Sequence, residues 1–361
     1  MRAVADLRFK KIQKMMRVVH LIWSLSTGGV ETMLVDIINE QVKHALVFLI
    51  VMNDSVDSEL TGNLDKKCNV LCCGRKAGTK NPLPLIKLNY WLFKIKPDII
   101  HVHGGGLGKV SLYPSPKVFT IHNAHSESSE YKKYKVLYSI SKAVQEYTRG
   151  QGFESVVVEN GIRVKDIRVK EDNSASETMQ IVQIGRLYHP HKGQHILIEA
   201  MNIIVNEIKE NKISVDFIGD GSSYKYLVGL VRKYHLEEHV RFLGGHTRKF
   251  IYANLCNYDL LIQPSISEGF GLTVAEAMVA GVPVLVSNVP GTMEVIGQGK
   301  YGKYFETDNP RSLADSILQI KTDGCNRKRL KEARDYAISN FDISHTAQTY
   351  LAEYKRILNK S

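Results

Sequence analysis

Short, nearly unbroken apolar runs recur along the chain, separated by longer stretches in which apolar residues return every three or four positions. In the first half the runs are 17–23, 45–52, 98–103, 118–122, 136–140 and 155–158, with helical patterning over 30–41 and 85–96. In the second half they are 180–184, 214–218, 240–243, 259–263 and 282–287, with helical patterning over 194–208 and 273–280. A strand that is apolar on both faces belongs to a parallel sheet covered by helices. Regular strand–helix alternation therefore predicts an α/β protein. The periodicity lapses over 164–179, around Glu171-Asp172-Asn173-Ser174-Ala175-Ser176. The expected organisation is an N-terminal extension (1–15), a Rossmann-like domain (16–165), a linker (166–178), a second Rossmann-like domain (179–342) and a terminal helix (343–361) packing back toward the first domain.

Composition narrows the class. With 361 residues, 43% hydrophobic and 24% charged, the chain can build two globular cores. Its longest apolar run, 45–52, is far short of the roughly 20 residues that span a bilayer. The basic N-terminus lacks the apolar segment of a secretory signal. Five cysteines, with Cys68, Cys72 and Cys73 clustered but no second pair at zinc spacing, read as free thiols of a reducing cytoplasm, and no metal site is expected. Charge is uneven. Residues 1–170 carry 26 Lys and Arg against 15 Asp and Glu, while the remainder balances at 22 and 22. A basic half points to an anionic surface, substrate or polymer.

In open parallel sheets, ligands meet the carboxyl ends of strands, so the segments that follow strands carry the chemistry. After the first strand comes Ser26-Thr27-Gly28-Gly29-Val30-Glu31, a glycine pair at a helix start that lets an anion approach the backbone. It is not a dinucleotide fingerprint. His122 ends a strand, where a titratable ring can serve catalysis. Gly185-Arg186-Leu187-Tyr188-His189-Pro190-His191-Lys192-Gly193 places a planar cation and a point cation around one loop, suited to a diphosphate. Ser267-Glu268-Gly269-Phe270-Gly271-Leu272-Thr273-Val274-Ala275-Glu276 puts glycines and free amides at a helix start between two glutamates. A carboxylate such as Glu276 can accept from both hydroxyls of a ribose.

Together these segments resemble the retaining nucleotide-sugar glycosyltransferases of the GT-B fold, specifically glycosyltransferase family 4. Gly28-Gly29-Val30-Glu31, the strand 97–103 around Pro97-Asp98, Ile121-His122-Asn123, Ile140-Ser141, Asn160-Gly161-Ile162 and Phe217-Ile218-Gly219-Asp220-Gly221 extend the likeness over nearly the whole chain. The resemblance implies two Rossmann-like domains with parallel sheets facing across a cleft, the first on the acceptor side and the second holding the donor. It implies catalytic roles for His122, Arg186, Lys192 and Glu268. It implies donor contacts from Gly28, Gly29, Gly185, Gly219, Gly269, Phe270, Gly271, Leu272, Thr273 and Glu276. Arg186 and Lys192 are one residue further apart than in the commonest family pattern. No Asp-x-Asp is present, so metal independence is expected. The nucleoside diphosphate sugar, of UDP or GDP, is a substrate, and no cofactor is expected.

The expected function is transfer of a hexosyl or N-acetylhexosaminyl group to a glycan acceptor linked to polyprenyl diphosphate, in O-antigen, capsule or exopolysaccharide synthesis. The basic half and the apolar, aromatic and lysine-bearing stretch 85–96 suggest peripheral attachment to the inner face of the cell membrane. A GT-B sugar-nucleotide epimerase, a soluble small-molecule glycosyltransferase and a protein that binds anionic polymers are the alternatives. Nucleic acid is not an expected partner, because no groove-reading or aromatic-basic platform is present.

Overall fold

The computed structural model describes residues 15–26, 28–123, 128–171, 177–324 and 326–359. The expected extension (apart from Met15), Thr27 and part of the linker lie outside the described residues. The first sheet comprises β1 (Arg17–Ile22), β2 (Leu46–Asn53), β3 (Asn69–Arg75), β4 (Ile99–Val102), β5 (Lys117–Ile121), β6 (Val136–Ser139) and β7 (Val156–Val157). The second comprises β8 (Met179–Ile184), β9 (Ile213–Ile218), β10 (Val240–Gly244), β11 (Leu260–Gln263), β12 (Val284–Ser287) and β13 (Lys303–Phe305). Strand orders are 3-2-1-4-5-6-7 and 10-9-8-11-12-13, and every pairing is parallel. Both are doubly wound Rossmann-like sheets, the α/β class that the apolar patterning predicts. In each, the order reverses beside the first strand of its half, the point where such sheets bind ligands.

The central strands are buried on both faces, as their composition requires. In register, Val18 lies beside Val47 and Ile99, all fully buried or nearly so. The sequence pattern misses β3 and β13. Both are edge strands with exposed positions, so neither needs a continuous apolar run. The stretch 194–208 is also not one α-helix. Helix Gln194–Asn202 passes into a π-helical turn, Ile203–Glu207.

The chain crosses between domains twice, and the crossings lie side by side. Ile162 donates to the Phe341 carbonyl at 2.7 Å, and Ile343 donates to the Ile162 carbonyl at 3.0 Å. Helix Ile343–Leu358 then packs against helix Gly29–Gln41 of the first domain, with Tyr350, Tyr354 and Ile357 buried. One apolar cluster continues through both domains, from Val19 and Leu21 to Phe270 and Val274. Phe270 meets Phe341 edge-on at 5.3 Å between centroids. Among the described residues, no helix is long and apolar enough to cross a membrane.

The paired crossings generate a test. A Cβ on Gly161 would lie 2.7 Å from the Ile343 Cα, against backbone that cannot rotate away. Gly161→Ala should therefore destabilise the protein by about 1–3 kcal/mol in urea unfolding. A stability equal to wild type would show that the crossings are not tightly packed.

Candidate active site

The carboxyl ends of the two sheets face each other, and the loops that leave them meet. Gly28 and Gly29 start helix Gly29–Gln41 on the first-domain side. A Cβ on Gly28 would lie 3.7 Å from an Arg186 guanidinium nitrogen, and one on Gly29 would lie 3.5 Å from Leu272. Both neighbours belong to the second domain. The Glu31 carboxyl, one turn into the helix, is raised by burial and drawn back by Arg186. Arg186 itself is exposed.

On the second-domain side, glycines let three loops nest. Gly219 has φ +142°, and a Cβ there would lie 2.1 Å from the Gly185 carbonyl oxygen. Gly193 has φ +64° and abuts the Pro264 carbonyl, where a Cβ would approach to 1.8 Å. The residues 189–192 form a single helical turn that ends on Lys192. Lys192 Nζ lies 2.6 Å from Glu268 Oε2. The same oxygen accepts from Gln263 Nε2 at 3.2 Å and Ser265 Oγ at 3.3 Å. Glu268 is thus fixed by the end of β11 and by a cation from the β8 loop.

The next residues join the domains. Gly269 packs on the His122 carbonyl, which a Cβ would approach to 2.9 Å, and its own carbonyl accepts from Ser141 Oγ at 2.6 Å. Phe270 is buried in the shared apolar cluster, so its backbone rather than its ring can face a ligand. Gly271, at φ +105°, caps helix Leu272–Ala280, and Thr273 Oγ1 donates to Gln263 Oε1 at 3.1 Å.

Glu276 is 5% exposed and already engaged. Its Oε1 accepts from Arg248 at 3.1 Å and from the Tyr252 hydroxyl at 3.2 Å. Arg248 also binds Asp36, a buried residue of helix Gly29–Gln41. Burial raises the Asp36 and Glu276 carboxyls, and Arg248 between them draws both back. Asp36 and Arg248 line a cavity of about 780 Å³ between the domains, whose walls also include Asp57, Arg163 and Arg168.

The structure therefore brings Gly28 to Arg186 and Gly29 to Leu272, and it pairs Lys192 with Glu268. His122 stands against Gly269, while Glu276 sits within the Asp36–Arg248–Glu276 bridge. Sequence reasoning assigned no site role to Arg248, Asp36 or Gln263, and noticed Ser141 only as part of the Ile140-Ser141 segment. Arg248 follows the glycines that end β10, and the strand-end rule could have found it. Asp36 carries no such signal.

Below His122, three more histidines are buried. His20 Nδ1 lies 3.0 Å from His103 Nε2, and His103 Nδ1 lies 3.4 Å from His122 Nε2. Burial holds the His20 and His122 rings down to about 4 and the His101 and His103 rings well below their usual value.

Two outcomes are expected. Replacing Arg248 with Met removes the cation of Glu276 and leaves Asp36 only the more distant Arg163, at 3.8 Å, and should cost about 3–5 kcal/mol. Adding Asp36→Asn should recover part of that loss in urea unfolding, and strict additivity of the two substitutions would contradict the bridge. The second concerns acid. An unfolded histidine takes a proton near 6.5, whereas the buried His20 ring stays neutral to about 4. The unfolded chain then binds more protons in this window, so His20 lowers stability as pH falls from about 6.5 toward 4. Asp36 and Glu276, with raised carboxyls, act in the opposite sense, so the test compares variants. His20→Gln should flatten the pH dependence of the melting temperature across that window, and an unchanged slope would contradict the assignment.

The fold and site have known counterparts. The family model for Glycosyltransferase Family 4 matches residues 27–166, and that for Glycosyl transferases group 1 matches residues 164–336. The phosphatidyl-myo-inositol mannosyltransferase of Mycobacterium leprae is 23% identical over 293 residues, 75% of this chain and 76% of the relative. Protein CapJ of Staphylococcus aureus is 31% identical over 185 residues, 50% of this chain and 46% of its own. The crystal structure of Anabaena Alr3699/HepE with UDP and glucose superposes with a TM-score of 0.78 at 22% identity, over 94% of this chain and 100% of that one. With two adjoining family models accounting for residues 27–336 and the same two-sheet fold, the chain belongs to the family 4/group 1 glycosyltransferases of GT-B type.

Proposed function

We propose that the protein is a retaining, metal-independent hexosyltransferase that moves a hexosyl or N-acetylhexosaminyl group from a UDP- or GDP-sugar to a lipid-linked glycan. The observation that carries this reading is the approach of Gly28 to Arg186 and of Gly29 to Leu272 at the start of helix Leu272–Ala280, with Lys192 paired to Glu268 in the turn that precedes that helix.

In this reading Arg186 and Lys192 neutralise the diphosphate, whose charge grows as the glycosidic bond breaks. The amides at the start of helix Leu272–Ala280 add partial positive charge at the same place. The bonds described for Glu268 converge on Oε2, which holds Lys192 in position and leaves Oε1 for a sugar hydroxyl. Gly28 and Gly29 let the acceptor-side backbone close over the phosphates. His122 meets the sugar from the first domain. The acceptor hydroxyl then attacks on the face that the diphosphate leaves, and a phosphate oxygen takes its proton, which retains configuration. For Glu276 to bind ribose hydroxyls, Arg248 must share its carboxylate. The solved Anabaena protein carries UDP-glucose in one of its structures, which supports a UDP-sugar donor.

The acceptor side supports a lipid-borne glycan. Helix Leu83–Ile95 buries Leu88 and Leu92, yet its outer face is also apolar. Leu83, Ile86, Tyr90 and Phe93 are 64, 60, 57 and 52% exposed, and nearby Leu112 is 69% exposed. Lys87, Lys94 and Lys96 stand exposed among them. Such a face suits the boundary of an anionic membrane. A lipid substrate named for the mycobacterial relative, phosphatidyl-myo-inositol, fits the same arrangement. Surface-polysaccharide synthesis, as O-antigen, capsule or exopolysaccharide, is the setting in which polyprenyl-diphosphate acceptors are met at the cytoplasmic face.

A donor panel tests the enzyme. Nucleoside diphosphate release from UDP-, GDP- and ADP-sugars should select one nucleotide and persist in EDTA. Arg186→Ala should lower turnover by about 10²–10³-fold without rescue by Mg²⁺. Loss of activity on chelation, restored by a divalent ion, would contradict the charge assignment. For the membrane, flotation should show binding to anionic vesicles that weakens with salt, and Lys87, Lys94 and Lys96 changed together to Glu should abolish it. No flotation with anionic vesicles at low salt would assign a soluble acceptor instead.

A further inference from the structure

The ring nitrogens of His20, His101 and His103 lie within 4.8 Å of one another, close enough for a shared metal ion. Their hydrogen bonds argue for a different use. His101 is committed at both nitrogens, to the Tyr354 hydroxyl at 2.5 Å and Thr120 Oγ1 at 2.7 Å. His20 is committed to His103 and, through Nε2, to Gln41 Oε1 at 2.8 Å. His103 joins His20 to His122. No ring nitrogen of the three keeps a lone pair free for a metal.

The bonds instead form one line, Gln41–His20–His103–His122, and that line has a direction. A neutral imidazole has one N–H and one lone pair. The Gln41 oxygen only accepts, so His20 carries its proton on Nε2 and presents a lone pair at Nδ1. His103 must then donate from Nε2 and accept at Nδ1. His122 in turn donates from Nε2. Its Nδ1 is left without a proton, and among the described residues it is the ring nitrogen of these four histidines that has no partner.

We propose that Gln41, His20 and His103 are positioning residues that lock His122 in its Nε2–H tautomer and make Nδ1 a hydrogen-bond acceptor for a hydroxyl of the transferred sugar. The lock itself is independent of the transferase reading, and only the group that meets Nδ1 rests on it. Turning the Gln41 amide over would reverse every bond in the line and put the proton on His122 Nδ1. The state of His122 therefore reports the direction.

Nitrogen NMR of the full chain labelled with ¹⁵N-histidine tests this at neutral pH without substrate. The wild type should show His122 with Nε2 protonated and Nδ1 bare. Gln41→Glu keeps an acceptor and should preserve that pattern. Gln41→Met removes it and should give mixed tautomers. With the sugar nucleotide selected by the donor panel, Gln41→Met should lose kcat about tenfold or more with donor KM within about twofold, and Gln41→Glu should retain most activity. A protonated Nδ1 in the wild type would overturn the proposal. So would a stoichiometric divalent metal bound through His20 and His103, or an unchanged His122 tautomer in folded Gln41→Met. Should the tautomers follow the expected pattern while no sugar nucleotide is consumed, the lock stands and the transferase reading fails.

Discussion

Arg248 is held between two carboxylates that come from different domains, and none of these three charges is tolerable in its surroundings alone. Asp36 and Glu276 are 4 and 5% exposed, and the Arg248 side chain is 20% exposed. Desolvating an ion costs several kcal/mol, which only close counter-charges and hydrogen bonds offset. The bridge therefore fixes helix Gly29–Gln41 of the first domain against helix Leu272–Ala280 of the second. The Gly28–Gly29 turn begins one of these helices and the Gly269–Gly271 turn begins the other. Their approach across the cleft follows from the same constraint, as does the seat of His122 against Gly269. The shared apolar cluster around Phe270 adds a non-directional attraction, while the ion bridge sets the register.

Within that frame the two halves divide the chemistry. The second domain supplies positive charge, with Arg186 exposed and Lys192 tethered to Glu268. Tethering matters because a free lysine loses side-chain entropy on binding a phosphate, and a held one has lost much of it already. The first domain supplies a glycine turn, the Glu31 carboxyl beside Arg186 and a set of histidines that burial keeps uncharged. In the proposed function, a neutral ring at His122 accepts a hydrogen bond from a sugar hydroxyl without repelling the cationic loop opposite.

Legibility in the sequence followed burial. Central strands such as 17–23 and 180–184 stood out because both faces must be apolar, and they correspond to β1 and β8 almost residue for residue. The edge strands β3 and β13 did not, since water satisfies one side of each. The glycine turns at 28–29 and 269–271 were visible because they interrupt helical patterning where a sheet ends. Asp36 and Arg248 were not, because their partnership spans 212 positions and an isolated Asp within an amphipathic helix looks like a surface residue. Glu276 illustrates the limit. Its place early in a helix was readable, but its enclosure by Arg248 and Tyr252 depends on how two domains meet. The direction of the histidine line was equally hidden, since it is decided by the amide of Gln41, 21 positions from His20.

In the proposed function the cleft holds a nucleoside diphosphate by Arg186 and Lys192 at the start of helix Leu272–Ala280. A crystal structure of the full chain with saturating UDP measures this directly. The two phosphates should lie between the Arg186 guanidinium and Lys192 Nζ, within hydrogen-bond reach of the amides of Phe270, Gly271 and Leu272. Diphosphate density elsewhere on the molecule, or an empty cleft at saturating UDP and at saturating GDP, would contradict it.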